Sequence, residues 1–360
     1  MLIDKNHSII QNIVLIALLI ISLLSIEKVN SKSIDKPNLV TVDIYGTNEL
    51  SVDRVKEKYQ AEFNKIAEIM RSSSGMNSLA NSKLLADLMG KITSEIKSSG
   101  KFSFVKVSPI MYPGDNLIHI TIDVVDQKNK HRLQYFLAKP NKKIKDPDHL
   151  IASWMEYESI GFSFVCKEKK FPSYTTCPAH HCLFGFEQQP LKKYKKIFNN
   201  RVEKDKLLLV DVLRNDRDEN KRAAAAFLLA HIRNANELVN ILIPSIYDSS
   251  EKVRNNVMRV IGITLLKTPN LNVPIDKITN ALDFPATTDR NKAMLIVLTL
   301  IDKPDYAKFV IHHSSKELLD ELKLKQPNNH YLSYAILKKL SKKNYSDHDY
   351  KSWEKWLKLH

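Results

Sequence analysis

Glycine is scarce in this chain, with 8 residues among 360. That scarcity disfavours folds built on glycine-rich phosphate loops. The sequence also holds no HExxH zinc motif, no GxSxG nucleophile elbow and no dinucleotide-binding fingerprint. Gly90 and Lys91 are similar to the end of a phosphate loop, but Leu85 stands where that loop requires glycine. We therefore predict no catalytic residue, no cofactor-binding residue and no cofactor, with an enzyme of unrecognised type as an alternative.

Cysteine is also rare, and all three cysteines fall in 127–200: Cys166, Cys177 and Cys182. We predict that this basic stretch is an irregular connecting segment with one helix at about 149–157. We predict a disulfide that joins Cys177 to Cys182 or to Cys166, since bridges persist in exported proteins. Two alternatives stay open, namely free buried thiols and a zinc site completed by His180 or His181. The cysteine spacing lacks the CxxC pairs of common zinc modules, so we predict no metal site.

Positive charge is in excess, with 55 lysines and arginines against 40 acidic residues and a net charge of +15. A basic balance suits nucleic acid, anionic lipid or acidic protein partners. Because we expect export, we predict no nucleic-acid partner. We expect a protein partner, whose identity the sequence does not reveal, and an anionic membrane surface as the alternative.

One apolar run, 13–26, stands near the N-terminus, with only Ser22 and Ser25 polar among its 14 residues. This length is typical of the apolar region of a signal peptide and is short for a bilayer span of ~20 residues. We interpret 1–31 as a signal peptide or an uncleaved signal anchor. The protein is then periplasmic, extracellular or membrane-anchored, although the basic flank from Lys28 to Lys36 would favour a cytoplasmic body for an uncleaved anchor.

Residues 39–126 predict a small α+β domain. Alternating apolar and polar residues predict half-buried strands at 40–45 and 118–124, and 102–107 predicts a third strand. Apolar residues spaced by three or four predict helices at about 52–70 and 79–96. The predicted order is therefore strand, helix, helix, strand, strand.

That element order resembles the polypeptide-transport-associated (POTRA) module. The matching residues are Gly46 and Asn48 after the first strand, Gly100-Lys101-Phe102 with Val105, and the closing strand 118–124. The resemblance covers roughly 85 residues and implies a sheet whose edge can accept another strand. An unrelated α+β domain with the same element order is the alternative.

The C-terminal half, 203–360, repeats. Three predicted helices align on Arg222, Arg254 and Arg290, in steps of 32 and 36 residues. Asp216 and Asp248 each precede their arginine by six residues. An apolar helix precedes each of the three, and a further pair with a C-terminal cap is predicted over 303–360. Helix pairs repeating at this period indicate a solenoid.

The repeats resemble HEAT repeats, and Asp248 with Val253-Arg254 matches the turn aspartate and Val-Arg signature of that family best. The resemblance implies that the aspartates and arginines are structural. We therefore interpret Asp216, Arg222, Asp248, Val253, Arg254 and Arg290 as repeat scaffold. The predicted fold class is multidomain α+β, a POTRA-like domain followed by an α-helical HEAT-like solenoid, with an ordinary helical bundle as the alternative to the array.

These features favour a non-catalytic, exported scaffold or adaptor that binds a protein through the surface of its helical repeats. The alternative is a membrane-associated envelope assembly or structural factor that binds anionic lipid or glycolipid. Two lysine-rich runs support that alternative, at 167–170 and 192–196.

Overall fold

A computed structural model describes residues 40–72, 79–112, 117–168, 171–172 and 176–360. The predicted signal segment lies outside these residues. Within the described part of the chain, no helix is both long enough and apolar enough to cross a bilayer.

The first part of the chain forms a small α+β unit in the predicted order of elements. They are β1 (Val40–Tyr45), α1 (Val52–Arg71), α2 (Leu79–Ser99), β2 (Phe102–Met111) and β3 (Ile118–Asp126). The strand order is β1-β3-β2, with β3 parallel to β1 and antiparallel to β2. The two helices lead the chain from the end of β1 to the start of β2 at the opposite edge of the sheet, and β3 then returns between the two strands, parallel to β1.

Gly46 ends β1 in a conformation that favours glycine, with a φ of +90°. A Cβ atom at this position would lie 2.1 Å from the carbonyl oxygen of Val124. The close approach of the two backbones therefore requires glycine here.

The sheet is buried on both faces. Ile118, Ile120, Ile122 and Val124 of β3 pack in one apolar core with α1 and α2. The alternate residues of β3 are buried as well, although their polar side chains predict exposure: His119, Thr121 and Asp123. The strand predicted for 118–124 is confirmed, but the exposure expected for its polar side chains is wrong, because the helical part of the molecule covers that face of the sheet.

The rest of the chain is helical. Its helices are α3 (Leu150–Glu168), α4 (Lys192–Arg201), α5 (Lys206–Asn215), α6 (Glu219–Leu229), α7 (Ala235–Leu242), α8 (Glu251–Lys267), α9 (Ile275–Asn280), α10 (Thr287–Leu300), α11 (Pro304–Leu322), α12 (Pro327–Ser341) and α13 (Tyr350–Lys358). Short 3₁₀ turns extend α7 and α9, at Ile243–Tyr247 and Ala281–Asp283.

The helices from α5 to α12 pack as successive pairs. Within each pair the first helix contacts the second, and the second helices contact one another in chain order: α6, α8, α10 and α12. This arrangement lets each pair cover the apolar side of its neighbour, and one continuous core results. The molecule is thus mostly helical, with a small α+β part.

The last helix, α13, closes the C-terminal end. It packs against α11 and buries Trp353 completely and Trp356 almost completely. Both tryptophans lie on one face of the helix, three residues apart, as the sequence predicts for a cap.

The stretch 127–200 is not the irregular connecting segment predicted from its composition. The single helix predicted near 149–157 continues to Glu168 as α3, and α4 follows it. Trp154 of α3 stacks on Phe227 of α6 at 5.0 Å between ring centroids, and Tyr157 also joins this core. The aromatic residues of the segment pack into the helical core. Local composition does not reveal this tertiary packing.

Candidate functional site

Three buried arginines occupy equivalent places at the start of α6, α8 and α10: Arg222, Arg254 and Arg290. The Nη1 of each arginine donates to a backbone oxygen six residues earlier. The distances are 2.8 Å to Asp216, 2.8 Å to Asp248 and 3.1 Å to Phe284. Each arginine therefore closes the turn that precedes its own helix.

The same arginines also reach the next helix pair. Arg222 donates to both carboxylate oxygens of Asp248, at 2.9 and 2.8 Å. Arg254 donates from Nε and Nη2 to Oδ2 of Asp289, at 2.9 and 2.7 Å. Such forked, charge-assisted contacts fix both distance and angle between neighbouring pairs. The arginine ladder, defined as Arg222, Arg254 and Arg290 with their acid partners, thus runs along the array.

The two aspartates of the sequence signature hold turns. Asp216 accepts from the backbone N–H groups of Asp218 and Ile144, at 2.8 and 2.9 Å. Asp248 accepts from the N–H of Ser250 at 2.7 Å. Beside Arg254, Val253 is fully buried in the helical core. These residues are buried, and the two aspartates hold the backbone of their turns, as residues with a structural role do.

Arg290 has an additional role, because it joins the sheet to the array. Its Nη2 donates to Asp123 of β3 at 2.8 Å, and its Nε donates to Glu321 of α11. The guanidinium lies over the ring of Tyr45, 3.5 Å from the centroid. Burial opposes the charge, but the two carboxylates more than offset it and raise the pKa of Arg290. The side chains of Arg290, Asp123 and Glu321 are all inaccessible to solvent.

Two further contacts strengthen this junction. Asp43 of β1 accepts from the backbone N–H groups of Lys325 and Gln326, at 2.9 Å each, just before α12. Arg132 donates to the backbone oxygen of Asp283 at 2.8 Å and forms an ion pair with its carboxylate. The α+β part and the helical array therefore meet through a polar, hydrogen-bonded surface.

The structure pairs Cys177 with Cys182 and leaves Cys166 as a free, exposed thiol near the end of α3. The disulfide loop rests on the array, since the N–H of His180 donates to Ala230 at 2.9 Å and Lys267 donates to Ala179 at 3.1 Å. Cys182 is buried in the core. Because two of the three sulfurs are bonded to each other, the zinc alternative considered for this segment does not form.

A groove of about 570 Å³ opens along the array beside the N-terminal turns of α8 and α10. We call it the α8 groove, and its lining is polar: Glu219, Ser250, Glu251, Lys252, Asn255, Asn256, Arg259 and Thr288. At its rim, Glu251 accepts from Thr288 at 2.6 Å and forms an ion pair with Lys106 of β2. The sheet therefore contacts one residue of the groove lining, Glu251.

Two cations lie close together here: Arg259, which lines the groove, and Lys292, which is near enough to repel it. The Nε of Arg259 is buried with no hydrogen-bond partner, and its Nη2 reaches only Asn255, at 3.4 Å. Lys292 lies on α10 one turn after Thr288, and its Nζ donates to Asn291 at 2.7 Å. Among the residues that the structure describes, neither cation forms an ion pair, in contrast to the ladder arginines.

The electrostatics of the groove reflect this lack of partners. Burial, together with repulsion from Arg259, lowers the pKa of Lys292 to about 7. Burial also lowers the pKa of Arg259, although Glu158 of α3 partly offsets it. Nearby, burial and the charges of Arg259 and Lys267 lower the pKa of His181. A cationic site that keeps unsatisfied donors is suited to an anionic ligand, whose binding would supply the missing counter-charge.

Three further histidines lie outside the lining of the groove. His231 is buried, and its Nδ1 lies 2.8 Å from the side-chain oxygen of Asn199. His312 and His313 face solvent on α11. Neither position brings histidine nitrogens to a shared donor set.

Comparisons of this chain with protein-family models, with curated proteins and with solved structures find no match.

Sequence reasoning missed most of the acidic partners and both groove cations. Asp123, Asp289 and Glu321 pair with arginines that are 31 to 167 residues distant. One signal was present, since the third repeat lacks an aspartate six residues before Arg290 but carries Asp289 next to it. Arg259 and Lys292 lie within helices, as many solvent-exposed basic residues do. Nothing in their local sequence distinguishes them from such residues.

Proposed function

We propose that this protein is a non-catalytic, exported binding scaffold that holds an acidic segment of a partner protein in the α8 groove. The observation that carries this proposal is Arg259, a cation of the groove lining whose Nε has no hydrogen-bond partner. A second cation, Lys292, lies close to it, and neither forms an ion pair among the described residues. A buried charge without a partner is costly to the free protein. A carboxylate side chain from the partner would lower that cost and would accept from the free Nε of Arg259.

The lining of the groove also suits a peptide. Lys252, Asn255 and Asn256 place amide and ammonium groups beside Arg259, and such groups can bond to a backbone as well as to carboxylates. An extended segment fits an open groove better than a small metabolite, which is usually enclosed on most of its surface. We therefore favour a protein segment over a free small anion.

We expect a fluorescent glutamate-rich octapeptide to bind the full chain, and a glutamine-for-glutamate counterpart to bind weakly. Changing Arg259→Gln is expected to weaken binding at least about tenfold, or ~1.4 kcal/mol, because the guanidinium contacts the ligand. The control is Lys195→Gln, which removes an exposed lysine from α4. Fluorescence polarisation measures all four affinities, and equal binding by the parent and Arg259→Gln would remove the support for this groove.

Lys292 makes the binding pH-dependent. Because its pKa is about 7, it is mostly charged at pH 6 and mostly neutral at pH 8. Affinity for the acidic peptide is expected to fall by up to about tenfold over this interval, and Lys292→Gln should remove the fall. A matched change, Lys292→Met, is expected to stabilise the free protein by ~1 kcal/mol while it weakens binding, as is common at functional sites. A purely structural lysine would lose stability instead.

We further propose that the stacked helix pairs are a HEAT-like solenoid and that the α+β part is POTRA-like. The arginine ladder, with its repeated contacts to the preceding turn and to the following pair, supports the first assignment. The strand–helix–helix–strand–strand order supports the second. A POTRA-like sheet could accept a strand of the partner at an open edge, in addition to the contact in the groove.

Export is part of the proposal, and the disulfide supports it, since bridges of this kind persist in oxidising compartments. We expect protein isolated from its native host to show one alkylatable thiol, that of Cys166. The thiols of Cys177 and Cys182 should be joined in a disulfide. Peptide mapping under non-reducing conditions makes this measurement. Three alkylatable thiols in native material would contradict both the bridge and the oxidising location.

The membrane alternative has one specific observation in its favour. The outer face of α4 exposes four lysines, Lys192, Lys193, Lys195 and Lys196, of which Lys193 pairs with Glu156. Such a face can bind anionic lipid. Sedimentation with anionic liposomes at low and high salt tests it. Salt-sensitive binding that is lost when these lysines become glutamine, and unaffected by Arg259→Gln, would favour the membrane role over the protein-binding role.

A further inference from the structure

Two histidines and an aspartate come together where α12 meets the loop that leads to α13. They are His330, in the first turn of α12, with Asp347 and His348, just before α13. One donor atom of each lies within 4.8 Å of the others. His330 is buried, Asp347 is half-buried and His348 is exposed, so the cluster opens to solvent on one side.

The hydrogen bonds of His330 define which of its nitrogens is available. Nδ1 lies 2.7 Å from the backbone oxygen of Leu322, so Nδ1 carries a proton and donates it. Nε2 lies 3.2 Å from Oδ2 of Asp347. In a neutral ring, Nε2 and the carboxylate would be two acceptors facing each other. A cation between them, or a second proton on the ring, removes that repulsion.

The geometry fits a metal ion. With metal–ligand distances of about 2.0–2.1 Å, two ligands of a tetrahedral zinc ion lie about 3.3 Å apart, close to the observed 3.2 Å between Nε2 and Oδ2. A carbonyl that orients the other ring nitrogen is the usual support of a metal-binding histidine. The other carboxylate oxygen of Asp347 accepts from Ser346 at 3.2 Å, which orients that ligand as well.

The loop that carries Asp347 and His348 is held in place by the surrounding helices. The Nε1 of Trp353 donates to Ser346 at 2.8 Å, and the hydroxyl of Tyr334 donates to Tyr345 at 3.1 Å. The His330 and His348 rings are 5.3 Å apart, centroid to centroid. Because His348 is exposed, rotation of its side chain can bring a nitrogen to the ion without moving the backbone.

We propose that His330, Asp347 and His348 bind one divalent zinc ion, with the fourth position open to water or to a ligand from a partner. Two imidazoles and a carboxylate are a donor set that suits zinc. The ion would tie the loop before α13 to the start of α12 and so fasten the C-terminal cap to the array. This site is separate from the α8 groove, so either proposal can fail without the other.

The test is a zinc titration of the untagged full chain, stripped with a chelator and dialysed, in competition with a chromophoric chelator at pH 7.5. We expect one equivalent of zinc at micromolar free metal. His348→Ala and Asp347→Asn are each expected to weaken binding by tenfold or more. The matched control His312→Ala removes an exposed histidine from α11 and should change the affinity less than twofold.

Both test substitutions are partly or fully exposed, so the chain should fold without them, and thermal unfolding without metal checks this. Zinc should raise the unfolding temperature of the parent and of His312→Ala, but not that of His348→Ala. The proposal is overturned if the stripped chain takes up no zinc at micromolar free metal. It is equally overturned if His348→Ala binds zinc as tightly as the parent does.

Discussion

Replacing Arg290 with methionine is expected to lower the free energy of unfolding by about 3–5 kcal/mol, the usual cost of removing one member of a buried charge cluster. Asp123 and Glu321 would then be buried without a counter-charge, and the link between the sheet and the array would be lost. Urea unfolding of the full chain, followed by circular dichroism, measures the change.

Arg201 provides a matched control for this substitution. It also contacts two carboxylates, those of Asp148 and Asp205, but at the surface. Arg201→Met is therefore expected to cost ~1 kcal/mol or less. If Arg290→Met costs no more than Arg201→Met, the sheet is not anchored by this cluster. Neutralising both acids together with Arg290 should recover part of the loss, because no unpaired charge would remain.

The second large effect is expected in the apolar core between helix pairs. Leu229 and Ile261 each lie seven residues after the ladder arginine of their helix, and both are inaccessible to solvent. Truncation of either to alanine should lower the free energy of unfolding by ~2–5 kcal/mol, since stacked pairs leave little room for the core to collapse around the cavity.

The control here is Leu207→Ala, which removes the same kind of side chain from a position that is 81% exposed on α5. It should change stability by no more than ~0.5 kcal/mol. Thermal or urea unfolding of the three variants decides the matter. If Leu229→Ala and Ile261→Ala unfold like the parent, the helices do not share a core, and the HEAT-like assignment loses its main support.

Local patterns in the sequence were sufficient for most of the elements. Apolar spacing of three or four placed α1 and α2 within a few residues, and alternation placed β1 and β3. The alignment on the three arginines located α6, α8 and α10 for the same reason, because the residues around each arginine have the apolar spacing of a helix. Boundaries were less accurate, and α3 extends eleven residues past its predicted end at 157 because its aromatic residues pack on α6.

The sequence by itself therefore determined the order of elements, the succession of helix pairs and the positions of the ladder arginines, because these depend on residues near one another in the chain. Only the tertiary structure decided which acids pair with those arginines and why both faces of β3 are buried. It also brought Arg259 near Lys292, and His330 near Asp347 and His348. These arrangements bring together residues of separate helices or loops, and burial and electrostatics decide them, so no local pattern of residue types could report them.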